Sequence, residues 1–228
     1  MATSRDAKAT GTAPRRPHPK LLPVAVDIEK RGPSAEHSIN AVGFAYRCPR
    51  TQRIVKRAFY FKGNDAGFQR KTQDEFWSRY PDLLRFIEER AADSASEWKR
   101  VDQWLDELAR DAKTDGYEVL WVSDNPAYDV GAIDAELLEY LRRLPLRYDS
   151  EGEYRRVRDT TAALYALGSA TAERIKKLVA DTGASHTHHP EDDAEVILRT
   201  HLLTQALVDA RNEYDRRVEA AFAEARAL

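Results

Sequence analysis

The chain has 228 residues, of which 42% are hydrophobic and 32% are charged, a balance typical of a folded globular protein. Its formal net charge of -2 argues against binding of nucleic acid through an overall positive charge. No apolar run approaches the roughly 20 residues that cross a bilayer, so we expect no membrane partner. A single cysteine, Cys48, cannot form an internal disulfide and favours an intracellular location, the cytoplasm.

The first 20 residues are rich in Thr, Ala, Pro, Arg and Lys and contain almost no large apolar side chain. Such a segment cannot bury enough surface to offset the entropy lost on ordering. We therefore predict a flexible basic tail over residues 1–20 and a single domain over residues 21–228.

Three strands are predicted at the start of this domain. From Val24 to Glu29, large apolar residues alternate with alanine or acidic residues. Two further runs with strand character, residues 39–46 and 53–61, are joined by a short turn. A continuous apolar run predicts one more, buried strand over Tyr117–Ser123.

The remaining segments show the spacing of amphipathic helices. Ser96 is the expected N-cap of the second helix. A mixed sheet with helices packed on it, an α/β fold, follows from this order of elements. The helices are predicted over residues 74–90, 96–113, 126–144, 154–167 and 171–181, and from Pro190 onward.

Asp27 and Glu29 form the first acidic motif, on the first predicted strand. Side chains two apart on a strand project from the same face, roughly 6 to 7 Å apart along the chain. Two carboxylates held together repel each other unless a cation neutralises them, and oxygen ligands suit Mg²⁺ or Mn²⁺. The alternative is an edge strand with a solvated face, where acidic pairs are commonplace.

The second acidic motif follows the buried strand. Asn125 is predicted to cap the next helix, and Pro126 to occupy its first position. Asp129 then lies about one turn into the helix and is directed back toward the carboxyl end of the strand, where binding sites are usually built. The alternative is that Asp124 or Asp129 only complements the helix dipole.

The third motif joins a histidine-rich loop to the last helix. Asp193 lies on the inward-facing stripe of that helix, and an aspartate is costly to bury without a partner. His188, in the preceding loop, is close enough to share a site with Asp193 and has a side chain suited to accept a proton from water. The next residue, His189, is the other candidate for this role, and we favour His188. The alternative is a transition-metal site formed by the histidines and aspartates of this segment.

Taken together, the three motifs resemble those of the DEDDh 3′-to-5′ exonucleases, the group of polymerase proofreading subunits and RNase T-like enzymes. Asp27, Glu29 and Gly32 stand in the order of the first family motif. Residues 125–129 fit the second motif, and His188 to Asp193 has the spacing of the third, a histidine, four residues and an aspartate. The resemblance covers residues 24 to about 203.

This resemblance implies a ribonuclease H-like mixed sheet flanked by helices, in the DEDDh topology; the pattern after Asp193 indicates a long C-terminal helix. Asp27, Glu29, Asp129 and Asp193 would hold two Mg²⁺ or Mn²⁺ ions about 4 Å apart, and His188 would accept the proton of the attacking water. The implied activity is metal-dependent hydrolysis at the 3′ ends of single-stranded DNA or RNA, with release of nucleoside 5′-monophosphates.

Lys30, Arg31, Asn125 and Tyr128 are the expected substrate-binding residues. Lys30 and Arg31 stand where the family often has small or hydroxyl residues, so substrate handling is expected to differ. The locally basic stretch over residues 47–71 is a second candidate surface for phosphates, with a solvated hairpin as the alternative.

Two other functions stay open from the sequence. One is an RNA-specific 3′ exoribonuclease, or an oligoribonuclease-like trimming enzyme, and the other is a non-catalytic module that binds nucleic acid. The intact set of acids argues against the second. Apolar residues continue along the last helix well past Asp193, and they either dock on the domain or form a homodimer contact.

Overall fold

The computed structural model describes residues 20–34, 37–63, 67–143, 146 and 156–227, and contains one five-stranded mixed sheet. Its strand order is β3-β2-β1-β4-β5. The pairs β1–β2 and β2–β3 are antiparallel, whereas β4 is parallel to β1 and to β5. The strands are β1 (Lys20–Lys30), β2 (Ile39–Arg47), β3 (Ile54–Tyr60), β4 (Tyr117–Ser123) and β5 (Val157–Asp159).

Helices cover both faces of this sheet, which confirms the α/β class. They are α1 (Arg70–Glu75), α2 (Pro81–Arg90), α3 (Ser94–Thr114), α4 (Asp129–Leu141), α5 (Thr160–Tyr165), α6 (Ser169–Asp181) and α7 (Pro190–Ala227), with a short 3₁₀ helix over Trp77–Arg79.

Strand β1 separates two apolar layers because its side chains alternate between the faces of the sheet. Val24, Val26 and Ile28 lie in the larger core, which also holds the buried side chains of α3 and α4. Ala25 lies in the second core, against Ala194 and other residues of α7. Asp27 and Glu29 continue the alternation of Ala25, so both acids lie on the face covered by α7.

Two predicted helices differ from the structure because other residues start them. The helix predicted over residues 74–90 is interrupted at Tyr80, and Pro81 begins α2, since proline fits the first turn of a helix and disrupts the interior. Ser96 is not the N-cap of α3. Asp93 caps that helix instead, and its carboxylate accepts a hydrogen bond from the Ser96 N–H at 3.0 Å.

The helix predicted from Pro126 also begins later. Residues 126–128 form a turn, and α4 starts at Asp129 without a side-chain cap. Asn125 contributes its main-chain carbonyl, which accepts the N–H groups of Tyr128 and Asp129 at 2.9 and 3.0 Å. The predicted cap was therefore wrong, although Asn125 does stabilise the turn that leads into the helix.

The helix predicted over residues 154–167 is a strand followed by a short helix. Val157–Asp159 pairs with β4 as β5, and Asp159 then caps α5 by accepting the Ala162 N–H at 2.7 Å. Residues 154 and 155 lie outside the described part of the chain. A three-residue strand leaves too little alternation to be recognised from the sequence.

Helix α7 begins at Pro190, as predicted, and extends far beyond the sheet. Within the described residues its distal half does not dock on the domain, since Leu207, Tyr214 and Phe222 are 45%, 68% and 57% exposed. The homodimer contact stays a prediction. Among the described residues, no helix combines the length and the apolar character that a bilayer-spanning segment needs.

The tail predicted over residues 1–20 lies outside the described residues except for Lys20. That residue is the first of β1 and pairs with Tyr117 of β4, so the strand begins one residue earlier than the predicted boundary.

Candidate active site

A glycine allows the start of α7 to approach the acids of β1. Gly43 of β2 pairs with Asp27 across the antiparallel ladder. A Cβ atom at Gly43 would lie 2.0 Å from the carbonyl carbon of Pro190 and 2.3 Å from the Glu191 nitrogen. These are main-chain atoms, so the close crossing requires a residue without a side chain. It places Asp193, in the first turn of α7, beside the carboxylates of β1.

Strand β4 positions the second pair of acids. Its last residue, Ser123, donates its hydroxyl proton to Asp129 and accepts the Asn125 N–H at 2.9 Å. The same hydroxyl group therefore links the strand end, the turn and the first residue of α4. Asp129 is buried, at 3% exposure, and Asp124 lies at the exposed rim of the turn.

Five carboxylates and one histidine converge at this end of the sheet in two groups. Asp27, Asp124 and Asp129 form one group, and Glu29, His188 and Asp193 form the other, with the ligand atoms of each group within 4.8 Å of one another. The structure thus brings together all four acids predicted from the sequence and His188. It adds Asp124, for which the sequence suggested only the alternative role of complementing the helix dipole.

Burial and mutual repulsion disfavour ionisation of four of these acids, Asp27, Glu29, Asp124 and Asp129. Desolvation is the main reason that the pKa values of Asp27 and Glu29 lie well above the ordinary range, and neighbouring carboxylates add to it. Desolvation also raises the pKa of Asp129 to about 7, although the Ser123 hydroxyl opposes the shift. The pKa of Asp124 is raised by the same cause.

Three histidines of the loop before α7 have different environments. The Nδ1 atom of His188 lies 3.8 Å from Glu29 and 3.9 Å from Asp193, and its ring packs against Phe76 and Tyr80. Because His188 has a positive φ of 61°, the loop turns sharply at this residue and directs its ring toward the acids.

The two other histidines of this loop, His189 and His186, make different contacts from those of His188. His189 packs on Phe86, with 4.7 Å between the ring centroids, and belongs to neither acidic group. His186 Nδ1 lies 3.4 Å from Asp193, whose hydrogen bond is the main cause of the raised pKa of His186. From the sequence, His186 was a candidate only as one ligand of the alternative transition-metal site, and its proximity to Asp193 depends on the loop conformation.

Of the predicted substrate-binding residues, Tyr128 lies beside the acids, and Lys30 lies near the ring of Tyr128. Tyr128 is half-buried, and desolvation followed by the charge of Asp129 raises its pKa to about 12. Lys30 is buried, its Nζ lies 5.6 Å from the Tyr128 ring centroid, and it donates a hydrogen bond to the Ser34 carbonyl at 3.1 Å.

The other two predicted residues are placed differently. Arg31 is held by internal hydrogen bonds, to Asn40 Oδ1 at 2.8 Å and to the Lys62 carbonyl, and its guanidinium lies over Phe68. Its side chain thus fixes the loop after β1. Asn125 is exposed at the turn before α4.

The basic stretch over residues 47–71 is partly neutralised by acids of this chain. Arg50 forms a bidentate pair with Asp115, and Lys56 contacts Asp192 at 2.7 Å and Glu195 at 3.0 Å. Lys56 thereby ties β3 to the first turns of α7. Both cations are thus paired with acids of this chain, which favours the alternative of a solvated hairpin for this part of the stretch.

The donor set fits hard divalent cations. Asp27 Oδ2 is buried and has no hydrogen-bond partner among the described residues. An orphaned carboxylate oxygen surrounded by other acids is costly unless a cation or a proton neutralises the group. Carboxylate oxygens are the ligands that Mg²⁺ and Mn²⁺ prefer. The acids that would hold the ions are Asp27, Glu29, Asp129 and Asp193, with Asp124 beside them.

Comparison with solved structures supports the fold. The chain is similar to a zinc-bound complex of E. coli exonuclease I with single-stranded DNA, with 11% identity, a TM-score of 0.56, and 86% of this chain and 42% of that chain covered. For a complex of the same enzyme with a dT13 oligonucleotide, the identity is 10%, the TM-score is 0.57, and 86% of this chain and 43% of that chain are covered. For a product-bound structure of exonuclease I, the identity is 12%, the TM-score is 0.53, and 87% of this chain and 48% of that chain are covered.

These matches confirm the ribonuclease H-like α/β fold. The chain spans less than half the length of the structures it matches. No family model matches the chain, and no curated protein matches it.

Proposed function

We propose that this chain is a metal-dependent 3′-to-5′ exonuclease that hydrolyses the terminal phosphodiester bond of single-stranded nucleic acid and releases nucleoside 5′-monophosphates. The observation that carries the proposal is the convergence of Asp27, Glu29, Asp129 and Asp193 with His188, from three separate segments of the chain. A fold shared with exonuclease I structures supports it.

The acids act by binding and orientation. Asp27 and Asp129 in one group, and Glu29 and Asp193 in the other, would hold two divalent ions, Mg²⁺ or Mn²⁺. When bound, such ions polarise the phosphate and lower the pKa of a water molecule. The Ser123 hydroxyl fixes the Asp129 carboxylate, and the Thr187 N–H fixes that of Asp193 at 2.8 Å, so both acids are already oriented.

His188 is the proton acceptor in this proposal. Its ring lies beside Glu29 and Asp193, whose negative charges stabilise the imidazolium that forms. As the water oxygen bonds to phosphorus, its proton passes to His188 and the P–O3′ bond breaks. The 3′ oxygen of the shortened strand leaves and takes a proton from solvent.

The wall beside His188 suits an unpaired nucleobase. Tyr80 is 37% exposed and its ring centroid lies 4.5 Å from that of His188. An aromatic side chain at this position offers a stacking surface. One exonuclease I structure is a complex with single-stranded DNA and another a complex with a dT13 oligonucleotide, so we infer that single-stranded DNA ends are the preferred substrate of this chain.

Digestion of labelled oligonucleotides tests the proposal. With Mg²⁺ or Mn²⁺, a 5′-labelled single strand is expected to shorten one nucleotide at a time, and EDTA is expected to stop the reaction. Matched DNA and RNA oligomers separate the preferred substrate from an RNA-specific enzyme. A preparation of Asp27→Asn that digests DNA as fast as the unaltered protein would contradict the proposal.

A further inference from the structure

The loop that carries His188 has an unfavourable backbone conformation at that residue. His188 has a positive φ of 61°, a region that residues with a side chain seldom occupy because the Cβ atom crowds the following carbonyl oxygen. Such a conformation persists only where neighbouring contacts hold it, and it often occurs at functional sites. Thr187, immediately before His188, is exposed, so it can hold the turn through hydrogen bonds rather than through packing.

Thr187 makes three hydrogen bonds around His188. Its main-chain N–H donates to Asp193 Oδ1 at 2.8 Å. Its hydroxyl oxygen accepts the His189 N–H at 3.2 Å, which closes a threonine turn that spans His188. The same hydroxyl donates its proton to Asp192 Oδ2, also at 3.2 Å. The residues on both sides of His188 are thus joined to each other and to the first turn of α7.

Asp192 is in turn fixed from strand β3. Lys56 Nζ lies 2.7 Å from Asp192 Oδ1 and 3.0 Å from Glu195 Oε2. The two carboxylate oxygens of Asp192 therefore have different partners, the Lys56 ammonium group and the Thr187 hydroxyl. A carboxylate that an ammonium group holds in place is a fixed acceptor for the hydroxyl proton. A continuous series of contacts thus runs from β3 to the turn at His188.

This series can affect the proton acceptor separately from the metal ligands. Lys56, Asp192 and Thr187 lie outside the two acidic groups. The bond that orients Asp193 comes from a main-chain N–H and does not need the Thr187 side chain. The Thr187 hydroxyl instead holds the peptide that follows His188. Because proton transfer depends on geometry, a small displacement of the imidazole slows the reaction without changing the metal ligands.

We propose that Thr187 is a positioning residue for His188, and that Asp192 and Lys56 hold the Thr187 hydroxyl in place. The inference rests on the exonuclease function proposed above. It gives these three residues a role in orienting the proton acceptor, and it makes the rate of hydrolysis depend on a lysine of β3.

Substitution of Thr187 tests this role. Thr187→Val keeps the branched shape and the main-chain N–H but removes the hydroxyl, so kcat on single-stranded DNA should fall by about tenfold. KM and the affinity for Mn²⁺, titrated alone, should stay unchanged because Asp193 keeps its N–H donor. Thr187→Ser restores the hydroxyl and should restore most of kcat. Thr182→Val is the matched control, since the Thr182 hydroxyl bonds to the Val179 carbonyl at 2.6 Å, and it should retain full kcat.

Double substitutions show whether the effect passes through His188. In a His188→Ala background, Thr187→Val should cause no further loss of kcat, because the group that it positions is absent, whereas independent effects would multiply. Lys56→Met keeps the aliphatic stem and should lower kcat by about threefold, as loss of one exposed ion pair predicts, but not when Thr187→Val is already present. Arg50→Met, which removes the pair with Asp115 in the same hairpin, should leave kcat unchanged.

The outcomes separate this role from the exonuclease function. Active Thr187→Val with unaltered kcat, a loss that Thr187→Ser does not restore, or losses that multiply in the double variant with His188→Ala would overturn the positioning role and leave the exonuclease function intact. A parallel fall in Mn²⁺ affinity would also overturn it, because the hydroxyl would then act through Asp193. If the unaltered protein cleaves no strand, both proposals are wrong.

Discussion

Asp129→Asn is predicted to stabilise the metal-free protein at alkaline pH. Asp129 is buried, and its pKa of about 7 lies above the ordinary value of 3.8. The folded state therefore holds this proton more tightly than the unfolded state does, and ionisation of the folded state costs stability. Asparagine has the same shape and keeps a group that can pair with Ser123, but it carries no charge.

The size of the effect follows from the pKa difference. A separation of about 3 pKa units corresponds to about 4 kcal/mol in the free energy of unfolding, at 1.36 kcal/mol per unit. The penalty is absent below about pH 4, grows as the pH rises toward about 7, and is constant above that. We take about 4 kcal/mol as an upper value, because local relaxation and water penetration reduce the cost of a buried charge.

Urea unfolding in EDTA at pH 5 and pH 8 measures this difference. Asp129→Asn should be more stable than the unaltered protein at pH 8, and the gain should fall to less than half at pH 5. Adding Mn²⁺ should stabilise the unaltered protein more than the variant, because one ligand is lost. Equal stability of the two proteins at pH 8, or a difference that does not change with pH, would refute the electrostatic reasoning.

Two further substitutions test the framework of the site. Gly43→Ala places a Cβ 2.0 Å from the Pro190 main chain, so it should lower the free energy of unfolding in urea by about 3 kcal/mol. It should also weaken Mn²⁺ binding, because Asp193 moves. Unchanged stability would show that α7 does not cross β2 so closely. His188→Ala should reduce kcat by about 100-fold or more. His189 packs its ring on Phe86, so His189→Ala should retain most of the activity. The opposite ranking would assign the proton acceptor to His189.

Much of the fold was predictable because the signals were local. The alternation from Val24 to Glu29, the apolar run of β4 and the proline at the start of α7 each depend on neighbouring residues, and the structure confirms these elements. The cap of α3 was misplaced by three residues, since both Asp93 and Ser96 are good capping residues and only the backbone path distinguishes them. Strand β5 was missed because its three residues are defined by pairing with β4.

The candidate site was only partly predictable for a related reason. The spacing within each motif indicated Asp27, Glu29, Asp129, Asp193 and His188, and the structure places these five side chains together. The inclusion of Asp124 depends on the turn that replaces the predicted start of α4, and the proximity of His186 to Asp193 depends on a loop conformation. Neither the placement of Asp124 nor that of His186 produces a periodic pattern or a fixed spacing in the sequence.

Anomalous diffraction from a crystal soaked in Mn²⁺ tests the central claim most directly, because it locates the ions without relying on activity. We predict two peaks, one among the carboxylates of Asp27, Asp124 and Asp129 and one beside Glu29 and Asp193. No peak at these carboxylates, while Mn²⁺ is bound elsewhere in the same crystal, would contradict the account.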